Sequence, residues 1–475
     1  MNSKAGLRPE KVLWEPPTAR MRAGISQKEI NPPIGIRTAS WGAAKKHVST
    51  GVHSAITTTA LVVIPEDGSA NYLVTVDWGW WQGQADDLAV RGEVIKALGI
   101  EENQLMLHLT HTHAGPTTAS DVAHEEGGEY VASYHAKAIS QIVAACEHAH
   151  DNSVVANITW AYGKCDLAVN RDLSCGVEDV LAYNPDVPAD DTLTVGRICD
   201  ESGTVLGVVV NYACHPTTLA WANSKVSPDF VGEARSLVQA RTKAPMLFLQ
   251  GASGDLSPRD GFSGDTDLAD KNGRILGFAT LAVLEKMLPS ATRIRFTNTV
   301  ESGALLGEWI QEPFNPKSPS GAIRIDVKVP LQSLPSIEEL QERWKDIDAG
   351  ARETRIRRAM KLRAGYVIDG AATHPVWIWM WGDAVIVGQP GEAYSQFQTE
   401  LRRRHPDRVI LVLNCTNGPG YMYIPTPEAY ERVRYQAWQT LLATGSLELI
   451  IDATDKAIKS FLTQIQIEIR TRGHE

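Results

Sequence analysis

The stretch LMLHLTHTHAGP, residues 105–116, ends an apolar segment in two histidines that are followed at once by a turn. Alternate side chains of a strand share one face, so Leu105, Leu107, Leu109, His111 and His113 are expected to point the same way. A buried imidazole needs partners for both of its ring nitrogens. This strand end therefore predicts a binding site, and a metal is the first candidate ligand.

Four other segments have the same character, because an apolar run breaks into a polar loop rich in Gly or Pro. They are VVVNYACHPTT (208–218), MLFLQGASGDLSPR (246–259), AVIVGQPGEAY (384–394) and LVLNCTNGPGYMYIP (411–425). Ligands of α/β sheets bind outside the carboxyl ends of the strands, so the polar groups of these loops are expected to meet there. Three histidines and a carboxylate suit a first-row metal, zinc best of all. The candidate groups are His111, His113, His215, Asp255, Ser257, Glu392 and Tyr423.

Strand and helix patterns alternate along most of the chain, which predicts an α/β fold with a mixed, largely parallel sheet and flanking helices. Residues 1–20 are expected to form an N-terminal arm, and residues 21–475 a single catalytic domain. Within it, a charged helical segment spans about 336–365 and begins at a Ser336/Glu339 capping box.

The bulk composition excludes several classes of protein. A formal charge of -10 argues against nucleic acid as the main partner. The six cysteines include no C-x-x-C pair, which suits a reducing cytosol. No apolar leader and no run of about 18 apolar residues is visible, which predicts a cytoplasmic protein without stable membrane insertion. The sequence leaves a homo-oligomer open.

Other zinc hydrolase patterns fit less well. HTHAGP lacks the Asp and His of the metallo-β-lactamase motif H-x-H-x-D-H, and the chain contains no H-E-x-x-H. The H-x-H of TIM-barrel amidohydrolases lies on the first strand, whereas here it follows several strands.

Six motifs together resemble the catalytic domain of the neutral (alkaline, non-lysosomal) ceramidase family. They are THTHAGP, NYACHPTTL, NRDLSCGVEDVLAYNP, GDLSPR, PGE and YMYIPTPEAYERVRYQ, in the family's order, and the opening MRAGISQKEINPPIG resembles the family's N-terminal strand. The resemblance implies a hydrolase with one Zn²⁺ per chain that cleaves amide bonds. Carried over by position, the metal ligands would be His111, His215, Glu392 and Tyr423. The resemblance also implies active-site roles for His113, Arg171, Ser257 and Tyr435.

The chemistry of amide hydrolysis is consistent with separate metal ligands and catalytic residues. Zinc lowers the pKa of a water ligand and polarises a carbonyl. His113 could pass a proton to the leaving amine, while Arg171 and Tyr435 could hydrogen-bond the developing oxyanion.

The sequence departs from the family pattern in ways that bear on the substrate. The chain ends about 40 residues after Tyr435, so the family's C-terminal immunoglobulin-like domain is expected to be absent. Arg259 replaces the asparagine of the family motif, and Trp78, Trp80 and Trp81 follow an early strand. We expect Arg259 and Trp80 to contact the substrate, and a small or medium amide, cyclic or anionic, to be preferred to a lipid-like one.

Alternatives remain at this point. The same zinc site could serve a true ceramidase acting on N-acylsphingosine, or an ester or lactone hydrolase. Ser253 or Ser257 could act as a serine nucleophile, although GASGD is not the G-x-S-x-G elbow. A non-enzymatic, zinc-stabilised binding protein would use the same ligands structurally.

Overall fold

The structure is a computed structural model that describes residues 12–38, 41–66, 68–176, 178–316, 318–368, 371–418 and 423–472. In chain order the strands are β1 (Leu13–Trp14), β2 (Thr18–Glu29), β3 (Gly51–Val52), β4 (Thr57–Ile64), β5 (Asn71–Val76), β6 (Leu105–Leu109), β7 (Val154–Lys164), β8 (Ala168–Asn170), β9 (Asp172–Cys175), β10 (Glu178–Leu181), β11 (Thr192–Asp200), β12 (Val205–Tyr212), β13 (Lys225–Val226), β14 (Met246–Gln250), β15 (Leu256–Pro258), β16 (Thr292–Glu301), β17 (Leu305–Pro313), β18 (Ser320–Val329), β19 (Val367–Ile368), β20 (Ala371–Trp381), β21 (Ala384–Gly388), β22 (Glu392–Ala393), β23 (Val409–Leu413) and β24 (Tyr423–Ile424). The helices are α1 (Gln84–Asp87), α2 (Glu93–Leu98), α3 (Val131–Asp151), α4 (Phe230–Thr242), α5 (Thr266–Lys286), α6 (Ile337–Arg343), α7 (Ala349–Tyr366), α8 (Gln396–Arg404), α9 (Pro427–Glu431), α10 (Tyr435–Gln439) and α11 (Ser446–Arg472). A π-helical turn, Leu88–Gly92, separates α1 from α2.

The largest sheet has eight strands in the order β14-β12-β11-β7-β2-β4-β5-β6. The α/β class and the mixed sheet are confirmed, but the expectation of a largely parallel sheet is wrong. Among the described strands of this sheet, only β5–β6 and β12–β14 pair in parallel. The other pairs are antiparallel because short turns such as 201–204 join β11 directly to β12, and a short turn can only reverse the chain.

A second sheet, β18-β20-β21-β23, packs face to face on the first. The apolar layer between them combines Met21 and Trp160 of the large sheet with Trp377, Trp379 and Trp381 of β20. On its other face the large sheet packs against α3, and the second sheet packs against α8 and α11. Helix α4 covers β12 and β14, and α5 covers β7 and β11. The result is four layers, with the two sheets in the middle.

Cross-sheet hydrogen bonds bring the predicted strand ends together. The N–H of Asn414, after β23, donates to the carbonyl of Gln250 at the end of β14 (3.1 Å). The N–H of Gln250 donates in turn to Nε2 of His108 in β6 (2.8 Å). The amide of Asn211 in β12 donates to the carbonyls of Leu249 and Val412, at 3.0 Å each. The carboxyl ends of β6, β12, β14 and β23 therefore meet at one edge of the two sheets.

The predicted N-terminal arm (1–20) and the charged helical segment (336–365) have different bounds in the structure from those expected. Residues 1–11 lie outside the described residues, while β1 pairs with β16 and β2 already begins at Thr18. The Ser336/Glu339 capping box is present. The charged segment is two helices instead of one, because the carboxylate of Asp348 accepts from the N–H of Ala351 (3.0 Å) at the start of α7 and interrupts the run. The division into an arm and one catalytic domain stays a prediction.

None of the helices in the described part of the chain has the length and apolar character needed to cross a membrane.

Candidate active site

His111 lies where the chain leaves β6. Its backbone N–H donates to the carbonyl of Trp78 (2.9 Å), and its φ of 70° is in the left-handed region. A non-glycine residue there is strained, and such strain is concentrated at functional sites. The period-two pattern therefore ends at Leu109, so the two histidines do not simply continue the face of the leucines. Their rings nevertheless remain close, with centroids 5.0 Å apart for His111 and His113.

His111 and His215 present bare ring nitrogens to each other. Nδ1 of His111 is 3.0 Å from the carbonyl oxygen of Gly79, and Nδ1 of His215 is 2.9 Å from that of Ser253. Because a carbonyl can only accept, each Nδ1 carries the hydrogen and each Nε2 has a free lone pair. The two Nε2 atoms are 2.9 Å apart, and both residues are 1% exposed.

Glu392 adds an oxygen to this centre. Its Oε2 is 3.4 Å from Nε2 of His111 and 3.2 Å from Nε2 of His215. This oxygen is buried and accepts no hydrogen bond from any described residue. Tyr423 lies beside Glu392 because β22 and β24 pair in parallel with these two residues in register. The Tyr423 ring faces that of His215, with centroids 6.5 Å apart.

The pKa shifts at the centre favour a positive charge there. Burial raises the pKa of the Glu392 carboxyl, but His111 and His215 outweigh it and hold that pKa well below its usual range. Burial, together with Arg171 and His111, lowers the pKa of His215 to about 3. Burial would also lower the pKa of His111, yet the neighbouring Cys415 and Glu392 raise it well above its usual value. An acceptor-only cluster of this kind is stabilised by a cation, either an added proton or a metal ion.

The residues present fit a metal ion. Two neutral imidazoles and a carboxylate are ligands suited to zinc, and each imidazole is oriented by a backbone carbonyl in the way that metal-binding histidines usually are. His113 belongs to the same group, since one ligand atom from each of His111, His113 and His215 lies within 4.8 Å of the others. The geometry is thus compatible with the set His111, His215, Glu392 and Tyr423 and with a three-histidine set.

His113 has no hydrogen bond to either ring nitrogen among the described residues, and both nitrogens are buried. Its ring packs against Trp80 (centroids 4.8 Å apart) and Trp41 (5.1 Å). Burial, with the nearby His111 and His215, lowers its pKa well below the ordinary value. A neutral imidazole with both nitrogens uncommitted, next to the centre, can accept and return a proton.

Arg171 and Tyr435 flank Tyr423. The guanidinium of Arg171 is 2% exposed and donates twice to the carbonyl of Gly254, at 3.1 and 2.8 Å, which fixes its orientation. Its Nη2 is 3.4 Å from the Tyr423 hydroxyl. The Tyr435 ring lies 5.7 Å from that of Tyr423. The structure therefore places both predicted oxyanion donors on the side of the centre formed by Tyr423.

Ser257 and Asp255 flank Leu256, whose carbonyl accepts from the backbone N–H of His215 (3.2 Å), and an active-site role for Ser257 stays a prediction. Ser257 is buried in β15, next to β8, and its hydroxyl donates to the carbonyl of Pro258 at 3.4 Å. The carboxylate of Asp255 accepts from the N–H and the hydroxyl of Ser395, both at 2.7 Å. Asp255 therefore anchors the residue before α8 and is not placed to bind a metal.

Of the two residues expected to bind substrate, Trp80 lies next to the centre and Arg259 is exposed to solvent. Trp80 is 6% exposed and forms a wall of the centre, 5.7 Å from the His111 ring between centroids, whereas Trp78 and Trp81 belong to the core. The side chain of Arg259 is 58% exposed, and its guanidinium lies 3.7 Å from the carboxylate of Asp260. The structure does not bring Arg259 to the centre, because the loop after β15 directs its side chain outward.

Sequence reasoning missed three contacts of the site. The Cys415 sulfur is 3.4 Å from Nδ1 of His111, Trp41 packs on His113, and the Arg358 guanidinium lies 5.7 Å from the Trp80 ring centroid. Cys415 follows β23 and has a φ of 49°. Cys415 follows an apolar run, as the predicted site residues do, so the sequence carries a signal for this one of the three contacts. The other two residues come from distant segments without a local motif.

Comparison with known proteins identifies the family and the fold. The family profile described as "Neutral/alkaline non-lysosomal ceramidase, N-terminal" matches residues 23–267. No curated protein sequence matches the chain significantly. Two solved structures share the fold, each with a TM-score of 0.63 over 93% of this chain and 74% of theirs. They are a ceramidase complexed with C2, at 17% sequence identity, and the neutral ceramidase from Pseudomonas aeruginosa, at 18%.

The profile spans more than half of the chain and contains His111, His113, Arg171, His215 and Ser257. The resemblance expected from the six motifs is confirmed by the profile and by the shared fold. The chain belongs to the neutral/alkaline non-lysosomal ceramidase family.

Proposed function

We propose that this protein is a zinc-dependent hydrolase that cleaves a carbon–nitrogen amide bond in an N-acyl amine, a small amide or a lactam. The observation that carries the proposal is the buried convergence of two bare Nε2 atoms, 2.9 Å apart, with an unpartnered oxygen of Glu392. Family membership supports the amide bond as the target. We assign the metal to His111, His215, Glu392 and Tyr423.

Zinc at this centre would lower the pKa of a water molecule and polarise the scissile carbonyl. The protein's own residues supply the remaining steps. His113, packed against Trp80 and without a hydrogen bond at either nitrogen from the described residues, accepts the proton of the attacking water and passes it to the leaving amine. Arg171, held by Gly254, places a fixed positive charge beside Tyr423 and stabilises the anionic transition state.

The Tyr435 hydroxyl is assigned to hydrogen-bond the developing oxyanion. Arg358 donates to that hydroxyl at 3.2 Å, which leaves its hydrogen available for the substrate. We expect Tyr435→Phe to keep the metal and to lower kcat about a hundredfold, because one oxyanion donor contributes roughly 3 kcal/mol. Steady-state kinetics with metal analysis checks this, and Tyr183→Phe, at a 43% exposed site, is the control. An unchanged kcat/KM in Tyr435→Phe would remove this hydroxyl from the mechanism.

A serine nucleophile is the main mechanistic alternative. The Ser253 hydroxyl is 3.5 Å from Nδ1 of His215, but that nitrogen already donates to the carbonyl of Ser253 at 2.9 Å. Nδ1 therefore has no lone pair with which to activate the hydroxyl, which argues against this reading. Chelator inhibition without inhibition by a sulfonyl fluoride is expected, and the opposite pattern would favour the serine.

The space around the centre bears on the choice of substrate. A cavity of about 440 Å³ is lined by Trp41 and Trp80 on the side of His113, and by Arg357, Arg358 and Lys361 of α7 on the other. Long hydrocarbon chains gain little beside such charged side chains. The proposal therefore favours a small or medium amide over N-acylsphingosine, with an ester or lactone as the second candidate at the same centre.

A substrate panel tests this preference. We expect at least one soluble N-acyl amine or lactam to be hydrolysed with a kcat/KM at least about tenfold above that of dispersed long-chain ceramide, since the charged cavity favours polar groups. Products are identified by mass spectrometry, and a tenfold difference is well above the error of such assays. If ceramide is the best substrate of the panel, the small-amide proposal fails and a true ceramidase replaces it.

A further inference from the structure

Helices α6 and α7, together with the chain from α9 to α10, enclose a second cavity of about 240 Å³. Four arginines line it: Arg343, Arg355, Arg358 and Arg363. None of the described residues that line this cavity is acidic. We call it the arginine cavity. In a chain of net charge -10, four lining cations without a lining anion make a local field that attracts anions.

Arg355 is the best-formed anion-binding group of the arginine cavity. Its guanidinium carbon lies 5.0 Å from the ring centroid of Trp438 and 5.6 Å from that of Trp344. The two indoles hold the planar group in place, so that its N–H donors are pre-oriented. No described carboxylate pairs with Arg355 or with Arg343. A planar, aromatic-supported guanidinium of this kind matches a carboxylate in a bidentate way.

The arginine cavity is connected to the centre by Arg358. This side chain lines both cavities, lies over the Trp80 ring and donates to the Tyr435 hydroxyl at 3.2 Å. Trp80 in turn contacts His113, and Tyr435 contacts Tyr423. The arginine cavity is therefore next to the centre, with Arg358 and Tyr435 between them.

We propose that the arginine cavity binds a carboxylate on the substrate, so that the preferred substrate is an N-acyl amide with a carboxylate beyond the scissile bond. This inference rests on the amide hydrolysis proposed above. It also replaces Arg259 as the source of anion preference, because Arg259 is exposed and faces Asp260. The carboxylate displaces no protein anion, so its binding energy is not offset by breaking an existing ion pair.

The test compares N-hexanoylglycine with N-hexanoylethanolamine, which replaces the carboxylate by a neutral hydroxymethyl group. With the metal-loaded full-length protein we expect kcat/KM to be about ten- to a hundredfold higher for the glycine conjugate, the range of one charge-assisted hydrogen bond. Arg355→Gln and the more exposed Arg343→Gln should each reduce this preference by raising KM for the glycine conjugate alone. Arg352→Gln makes the same charge change on α7 without lining either cavity, and should leave the preference unchanged.

A binding measurement separates this inference from the proposed function. Glutarate should quench tryptophan fluorescence through Trp344 and Trp438, and its affinity should fall at least about tenfold in Arg355→Gln. If neither conjugate is hydrolysed although another amide or lactam of the substrate panel is, the inference is contradicted and the amide hydrolase proposal stands. If no amide or lactam of the panel is hydrolysed, the amide hydrolase proposal is contradicted, while arginine-dependent glutarate binding would still support the cavity. Equal kcat/KM for the two conjugates, or glutarate binding that both arginine variants leave unchanged, would overturn the inference.

Discussion

His215→Ala and His111→Ala are each expected to lose the bound zinc and with it more than about 99.9% of activity, since removal of one ligand from a four-ligand site destroys both affinity and geometry. Each histidine supplies an Nε2 lone pair that a backbone carbonyl orients toward Glu392. Alanine removes the ligand and one of the two imidazoles next to the Glu392 carboxylate. Inductively coupled plasma mass spectrometry gives zinc per chain, and hydrolysis of the best amide substrate gives the activity.

His150→Ala is the control for that experiment, because His150 is 46% exposed in its side chain, on α3. It should retain about one zinc per chain and full activity. Circular dichroism establishes that each variant is folded before its metal content is compared. Full zinc occupancy in either His111→Ala or His215→Ala would contradict the assignment of that residue as a ligand.

His113→Ala is expected to keep its zinc and to lose about 10²- to 10⁴-fold in kcat, the usual contribution of a positioned acid–base group. His113 is next to the centre, but its ring is held by packing on Trp80 and Trp41 and not by a hydrogen bond from any described residue. The variant therefore separates the two ligand sets that the geometry allows. Zinc content, kcat and partial rescue of kcat by added imidazole are the measurements.

The matched control for His113→Ala is Glu392→Gln, which changes an assigned ligand with little change in volume. Glu392→Gln should weaken zinc binding, whereas His113→Ala should not. Loss of zinc in His113→Ala together with retention in Glu392→Gln would show that the three histidines hold the ion and that the carboxylate acts elsewhere in the reaction.

The strand ends were the most predictable part of the molecule. His111, His215 and Glu392 each follow an apolar run, and hydrogen bonds across the two sheets bring those ends to one edge. The sequence carries this signal because buried strands must be apolar, while the loops after them are free to be polar. Tyr423 also follows an apolar run, but its assignment as a metal ligand came only from the family resemblance, since its place beside Glu392 depends on the pairing of two short strands.

Strand direction and long-range contacts were not predictable in the same way. The βα rhythm after residue 84 suggested parallel pairing, but hairpins such as β4–β5 and β11–β12 set the direction of most of the large sheet. Arg358 reaches Trp80 from a helix more than 270 residues away in sequence, so no local pattern could reveal the contact. Arg259 was expected near the substrate from its motif position, but one loop directs its side chain outward.

Anomalous diffraction at the zinc edge, from crystals of the purified full-length protein, tests the central claim most directly. The expected result is one strong anomalous peak per chain, surrounded by Nε2 of His111, Nε2 of His215 and the carboxylate of Glu392, where the protein presents acceptors without donors. A zinc-supplemented, catalytically active protein with no anomalous density among these three side chains, or with its only peak elsewhere, would contradict the claim that this centre is a zinc site.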